Sequence, residues 1–514
     1  MEEKKTTYGN QKIRHVVNAL TFILLLFIII DNLTWLYRNN NIHSREGIIG
    51  FETIKEDIDV VTIGSSNLTR YYIPLQAYAD YGFTSYNYAT SSGRGTLLRY
   101  YIEEVEKYQS PKLYVVNIGG IDNVGIISES GLRNWSDSLS ILNATRIKGI
   151  NKYIQSLNRE DIPEDCDILS YYFDIAKYHA NRKILGKELQ YEVNFGKYDC
   201  IDKGFDVITS VHPFDTTESC VESRDLSEIE SKTLTDLLDY CDNIGINVLF
   251  IFSPAPISEP IINAASKMIQ DRGFTVLNLN DYYEEMGIDF STDYADAGHV
   301  NYIGAEKVTD FLGKYLKENY ELPDHRGDVA FSDWDNDVEQ FAGHQAEWKA
   351  ETESNILSMI SSRDRGKTIS EIANFDEWLG TVTNSNYSLL IVKRGTSENS
   401  TRSFAFSSFI NDAEILLEEE YYVGIYSGEK IYAENSSENT VSNEGGIGLD
   451  RKTQSKYYIS SGANGTSIRI DDVEYASSSD GIQIVVFDNN YMQIYDNVKI
   501  LSDEMGNVTL ERLK

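Results

Sequence analysis

Four short apolar runs constrain what this chain can fold into: DVVTIG at 59–64, KLYVVNIGG at 112–120, INVLFIFSPAP at 246–256 and FTVLNL at 274–279. Each is rich in β-branched or aromatic residues with little polar alternation, the pattern of a strand buried on both faces. Helical periodicity lies between them. TLLRYYIEEVEKY (96–108) is followed by Pro111, and LSEIESKTLTDLLDYCDNIG (226–245) is stopped by Gly245, as helix ends commonly are. Further helical segments fall around 260–271 and from about 302 to 318. This alternation predicts a parallel sheet covered by helices on both faces, with its chemistry at the carboxyl ends of the strands.

The start of the chain carries a different signal. Residues 16–30 (VVNALTFILLLFIII) are almost wholly apolar, and Leu33, Trp35, Leu36 and Tyr37 continue the run after Asp31 and Asn32. A spanning helix needs roughly 20 residues, so 16–37 is expected to be a single membrane anchor, with Trp35 and Tyr37 in the interfacial belt. Lys4, Lys5, Lys12 and Arg14 precede it, which makes 1–15 a cytoplasmic tail and places the remainder outside the cytoplasm of the cell. A cleaved signal peptide is the alternative, but DNLTWLYRNN after the core offers no small-x-small cleavage site.

A chain of 514 residues exceeds one ordinary domain. Its formal charge of −34 repels phosphate backbones, and no basic patch interleaves with aromatics, so nucleic acid is excluded as a partner. The four cysteines, Cys166, Cys200, Cys220 and Cys241, form no CxxC and have no histidine at ligand spacing; no metal is expected. Cys200 and Cys220 bracket a loop-like stretch and are a possible disulfide outside the cytoplasm, whereas Cys241 ends a helical pattern.

Two strand-end features carry chemistry. Gly64-Ser65-Ser66 follows the first strand, where a tight turn can expose a hydroxyl beside the N–H groups of the next helix. Asp296-Ala-Gly-His299 precedes the last helix, and an aspartate three residues before a histidine can orient the imidazole and stabilise its protonated form. Taken singly, each has a plainer reading: a common Gly-Ser turn, and a helix capped by Asp296 and Asn301 with His299 in solvent. Among the seven histidines, only His299 combines a nearby acid with a strand-to-helix position. His179 has the look of a helix-face residue.

Taken together, the first-strand serine and the DxxH before the last helix resemble the SGNH (GDSL-type) hydrolase family over about residues 55–320. The continuation His-Val-Asn-Tyr-Ile-Gly-Ala (299–305) is similar to the branch holding teichoic-acid D-alanyl transfer proteins and relatives of exopolysaccharide O-acetyltransferases. The resemblance implies a three-layer α/β/α, flavodoxin-like sheet and a triad of Ser66, Asp296 and His299. The family's glycine block corresponds to Gly93 in TSSGRG. Its Gly-x-Asn-Asp block is altered to Gly120-Ile-Asp122-Asn123, which leaves Gly93 and Asn123 as oxyanion candidates and Asn123 equally readable as a solvated turn residue. No cofactor is implied.

The resulting plan is an SGNH-like domain over 38–320 with an insertion at about 125–225, a connector over 321–373 with a helix near 333–360, and a β-rich domain over 374–514 with strand-like runs at 386–393, 420–428, 430–435, 456–462, 466–470 and 481–488. The insertion reads equally as a roof over the site and as a structural appendage. In the last domain, FDEWL…NYSLLIVKRG and SSDGIQIVVFDNN resemble the interleukin-like EMT-inducer domain. The implied activity is O-acyl transfer onto a cell-surface or secreted polysaccharide, with a membrane protein as acyl donor. The alternatives are a carbohydrate esterase or deacetylase of the same family and a non-catalytic surface glycan-binding protein.

Overall fold

Five parallel strands organise the first part of the chain: β1 (Val60–Gly64), β2 (Ser85–Ala89), β3 (Leu113–Asn117), β4 (Val248–Phe252) and β5 (Thr275–Asn278), in the order β2-β1-β3-β4-β5. The computed structural model describes all residues except 1, 39–41, 158–167, 180–199, 215–222, 257–259, 396–418, 449–453, 503–507 and 514. Two compact units result, Met1–Thr352 and Glu353–Lys514. Among the described residues neither Cys200 nor Cys241 forms a disulfide; Cys166 and Cys220 lie outside the described residues, and the expected Cys200–Cys220 bridge with them.

Strands β1, β3 and β4 are buried on both faces because successive side chains alternate between two cores, whereas β5, at the sheet edge, is only partly covered, unlike the expectation for FTVLNL. Val61 and Ile63 of β1, Tyr114 and Val116 of β3, and Phe250 and Phe252 of β4 point into one cluster. Val60, Leu113, Val115, Leu249 and Ile251 point into the other. The parallel register Val60↔Leu113 and Tyr114↔Val248 keeps each face in line.

Helices α1 (Glu2–Tyr37) and α2 (Ile42–Thr53) precede β1; α3 (Ser66–Tyr71) and α4 (Pro74–Tyr81) follow it. Next come α5 (Leu98–Val105), then α6 (Glu129–Ser136), α7 (Ala144–Ser156), α8 (Leu169–Tyr172) and α9 (Asp174–Tyr178) after β3. Helices α10 (Glu228–Ile244), α11 (Ile262–Asp271), α12 (Tyr283–Met286) and α13 (Tyr302–Asn319) complete the layers. One core holds Leu98, Tyr101 and Ile102 of α5 with Leu234, Leu237 and Leu238 of α10. The other holds Leu68 and Tyr71 of α3 with Tyr302, Ala305, Val308 and Leu312 of α13. The architecture is therefore α/β/α, with one apolar N-terminal helix whose stretch Ile13–Trp35 is long and apolar enough to cross a membrane.

Strand β2 has no counterpart among the apolar runs, because its sequence is SYNYA. Tertiary bonds satisfy several of its polar groups: Asn87 accepts from Thr62 at 2.7 Å and donates to the Tyr72 carbonyl at 2.8 Å, and Tyr86 donates to the Gly47 carbonyl at 2.8 Å. The Asn87 N–H also reaches the Lys203 carbonyl at 3.0 Å, which covers this sheet edge.

The second unit is antiparallel. Helix α14 (Ser332–Glu371) crosses into it and is longer than the expected 333–360, and α15 (Phe375–Val382) follows. A six-stranded sheet contains the runs expected near 386–393, 420–428, 430–435 and 481–488, and a four-stranded sheet those near 456–462 and 466–470. Four strands escaped the sequence reading: Val441–Ile447, Val473–Glu474, Gln493–Ser502 and Val508–Arg512. Some of their polar residues gain tertiary partners, as where Asp496 accepts from Trp378 Nε1 at 2.9 Å.

Candidate active site

β1 ends at Gly64, and the chain turns at once into α3. A Cβ at Gly64 would stand 2.8 Å from Leu68 Cδ1 and 3.2 Å from Asn117 Cβ, so the absence of a side chain lets strand and helix approach. Ser65 is the N-cap of α3 but makes no side-chain cap bond, and Ser66 is its first residue. The N–H groups of a first helical turn lack intrahelical acceptors. Behind this turn lies Gly93, where a Cβ would meet the Gly64 carbonyl oxygen at 2.9 Å and Ser65 Cα at 3.1 Å.

The acid–base pair sits on a two-strand hairpin, β6 (Tyr294–Asp296) and β7 (His299–Val300), in which Asp296 faces His299. The Gly298 N–H donates to Asp296 Oδ1 at 2.8 Å and closes the turn. His299 Nδ1 lies 2.8 and 2.9 Å from the two Asp296 carboxylate oxygens, and His299 Nε2 lies 2.8 Å from Ser66 Oγ. The tautomer consistent with both contacts has Nδ1–H donating to the carboxylate and Nε2 accepting from the serine hydroxyl. The cap of α13 is Asn301, which accepts from the Gly304 N–H at 3.2 Å. Asp296 is thus directed at the imidazole and not at the helix.

Burial opposes the Asp296 charge, but the hydrogen bond and charge of His299, the Gly298 N–H and the Arg70 guanidinium together hold its carboxyl below the usual range. His299 is largely covered, with 18% of its side chain exposed, while Asp296 is 55% exposed.

The arrangement is held by contacts from distant parts of the chain. Tyr71, at the end of α3, donates to the Gly298 carbonyl at 3.0 Å and so ties the serine's helix to the histidine's turn. Residues 205–214 lie along both elements. The Asp206 N–H donates to the Thr69 carbonyl at 2.8 Å, the Ile208 carbonyl accepts from Tyr302 at 2.8 Å, and the His212 N–H donates to the Tyr294 carbonyl at 2.7 Å. Arg70 and Asp206 add an ion pair at 3.2 Å.

The other candidates are placed as follows. The Gly93 N–H donates to the Thr90 carbonyl at 3.0 Å within its own turn. Asn123 is exposed, and its amide donates to the neighbouring Asp122 carboxylate at 2.7 Å. His179 is exposed with Nδ1 2.8 Å from the Ala176 carbonyl, a helix-end contact away from the serine. Asn117, which sequence reasoning missed, closes β3: it donates to Ser253 Oγ at 2.6 Å and accepts from the Gly119 N–H at 2.9 Å. A polar residue ending the run YVVN was the available signal.

No family model matches this chain, and no curated protein matches it. Among solved structures, a provisionally named platelet activating factor from Streptococcus pneumonia is similar at 9% identity, over 58% of this chain and 99% of that chain, with a TM-score of 0.24. A gut microbial diltiazem-metabolizing enzyme is similar at 11% identity, over 52% of this chain and 49% of that chain, with a TM-score of 0.20. Superposition this weak carries no weight for fold or activity.

Proposed function

We propose that this chain is a membrane-anchored serine enzyme of acyl-ester chemistry, with Ser66 as nucleophile, His299 as base and acid, and Asp296 orienting His299. The observation that carries the reading is the 2.8 Å contact of Ser66 Oγ with His299 Nε2, on an imidazole whose other nitrogen is held by Asp296. Serine, histidine and carboxylate in this order are the requirement for activating a hydroxyl.

In the first half-reaction Ser66 Oγ bonds to the ester carbonyl carbon while its proton passes to His299 Nε2. The C–O bond to the alcohol then breaks, and the alcohol leaves with the proton from His299. Asp296 stays ionised and stabilises the imidazolium. In the second half His299 takes a proton from an incoming hydroxyl, which attacks the acyl-serine and regenerates Ser66. When that hydroxyl belongs to a sugar the result is O-acyl transfer; when it belongs to water the result is hydrolysis. Transfer to a surface or secreted polysaccharide is the leading reading, supported by the anchor-like α1 and by the family resemblance of residues 299–305; a membrane protein would supply the acyl group. The carbohydrate esterase shares the first half-reaction.

The test takes full-length protein in detergent in two separate portions, one treated with a fluorophosphonate and the other incubated with an acetyl ester and a candidate glycan. An adduct on the Ser66 peptide and acetylated glycan support transfer, and an adduct with free acetate supports the esterase. No adduct and no ester turnover would leave a glycan-binding protein as the better reading.

A further inference from the structure

Helix α1 is not free of the domain at its end. Phe27, Asp31, Thr34 and Arg38 fall at spacings that share one helix face, and that face is docked. Phe27 stacks on Phe173 with ring centroids 6.4 Å apart. Asp31 accepts from Ser140 Oγ and from the Ile141 N–H, each at 2.9 Å. Arg38 Nε donates to Asp174 at 2.7 Å, and Arg146 donates to the other oxygen of the same carboxylate at 2.6 Å. The segments around 140–146 and 168–174 are therefore fixed to the helix at known heights.

Those heights can be set against a bilayer. From Arg14 to Asp31 the helix rises about 25 Å, close to the roughly 30 Å of hydrocarbon it would cross. Asp31 then marks the boundary on the domain side, and whatever binds Asp31 or stacks on Phe27 lies at that boundary or inside it. Beside these contacts Leu142, Ile168, Leu169 and Phe173 are between 37 and 67% exposed. Single exposed apolar residues are ordinary. Four on two short segments, both tied to the helix between Phe27 and Arg38, about 16 Å along it, are not scattered. The formal charge of −34 offers no general attraction to an anionic leaflet, so a contact here is apolar in character.

We propose that Leu142, Ile168, Leu169 and Phe173 insert into the bilayer interface beside α1 and form a second, apolar membrane contact that holds the domain against the lipid surface. The inference rests on reading α1 as a spanning helix. Its consequence reaches the candidate site through α6: Asn134 donates to the Ser91 carbonyl at 2.7 Å, next to the Gly93 turn behind Ser65, and Ser140 beyond the same helix holds Asp31. The chain from Asn134 to Ser140 spans at most about 20 Å, so the serine turn stays near the headgroups, where a membrane-borne acyl donor would be met.

Photo-crosslinking of the full chain in phosphatidylcholine–phosphatidylglycerol vesicles tests this, with p-benzoyl-phenylalanine replacing Leu24, Leu169 or Val329 in turn. Leu169 and Val329 are both well exposed, at 67 and 87%, so neither replacement strains the core. Lipid adducts at 24 and 169, with none at 329, are expected. An adduct at 24 without one at 169, or equal adducts at 169 and 329, overturns the second contact while leaving the spanning helix. No adduct at 24 overturns the spanning helix and the proposal with it.

Discussion

Ser66 Oγ lies 2.8 Å from Nε2 of His299, a residue 233 positions later in the chain. The two are brought together by different layers of the fold: Ser66 leaves the carboxyl end of β1, and His299 stands on the hairpin before α13. Their separation along the chain makes the contact a tertiary result, and it gives the first prediction its form.

Ser66→Ala removes the attacking hydroxyl and adds nothing to a half-buried position. Ester turnover should fall by roughly three orders of magnitude or more, since members of such a unit are not additive, with the unfolding midpoint unchanged. Ser65→Ala should be mild, because Ser65 makes no side-chain cap bond. A Ser65→Ala variant as inactive as Ser66→Ala would move the nucleophile by one residue.

The carboxyl of Asp296 is depressed by His299, Gly298 and Arg70 against the opposing effect of burial. A depressed carboxyl contributes stability that is complete above its unfolded value of about 4 and is lost as pH falls through the lower folded value. Asp296→Asn should therefore melt below the wild type near neutrality, with the gap closing below about pH 4. Melting curves from pH 3 to 8 check this; a gap that widens on acidification contradicts it.

Tyr71→Phe deletes the hydrogen bond to the Gly298 carbonyl and leaves the ring in place. The loss of one such bond is worth about 1 kcal/mol, and if it is felt in the placing of His299 it lowers kcat by about fivefold with KM nearly unchanged. A KM effect without a kcat effect would argue against Tyr71 as a positioning residue.

Gly93→Ala sets a methyl against the Gly64 carbonyl oxygen and Ser65 Cα, backbone atoms that cannot rotate aside. Overpacking of this kind costs typically 1–3 kcal/mol, and here the strain falls on the serine turn, so activity should drop more than stability. Asn123→Ala, which removes only an exposed amide bonded to Asp122, should be close to neutral. Kinetics and denaturant titrations on both variants decide the point.

Asp174→Ala would strand Arg38 and Arg146, whose side chains are fully buried against it. Removing one partner of a buried ion pair costs about 3–5 kcal/mol. Thermal unfolding in detergent should show a correspondingly large loss, and a loss under 1 kcal/mol would mean that water reaches these guanidinium groups.

The parallel sheet was readable from sequence because burial on both faces leaves its mark on consecutive residues: VVTIG, LYVV and VLFIF are apolar without a tertiary context to explain them. So were the apolar helix at the start and the local pair Asp296 and His299, whose spacing of three lets one turn place acid beside imidazole. SYNYA was not readable as a strand, since Asn87 and Tyr86 find their partners in Thr62, Tyr72 and Gly47 from elsewhere. Nor was the strap of residues 205–214, which has no periodicity and gains its place by backbone bonds to Thr69, Tyr294 and Tyr302. Sequence alone determined the elements whose residues carry their own burial pattern or turn chemistry. The meeting of Ser66 with His299, the hold of Tyr71 on Gly298 and the docking of Asp31 and Arg38 were decided by tertiary structure, because each joins groups that no local spacing relates.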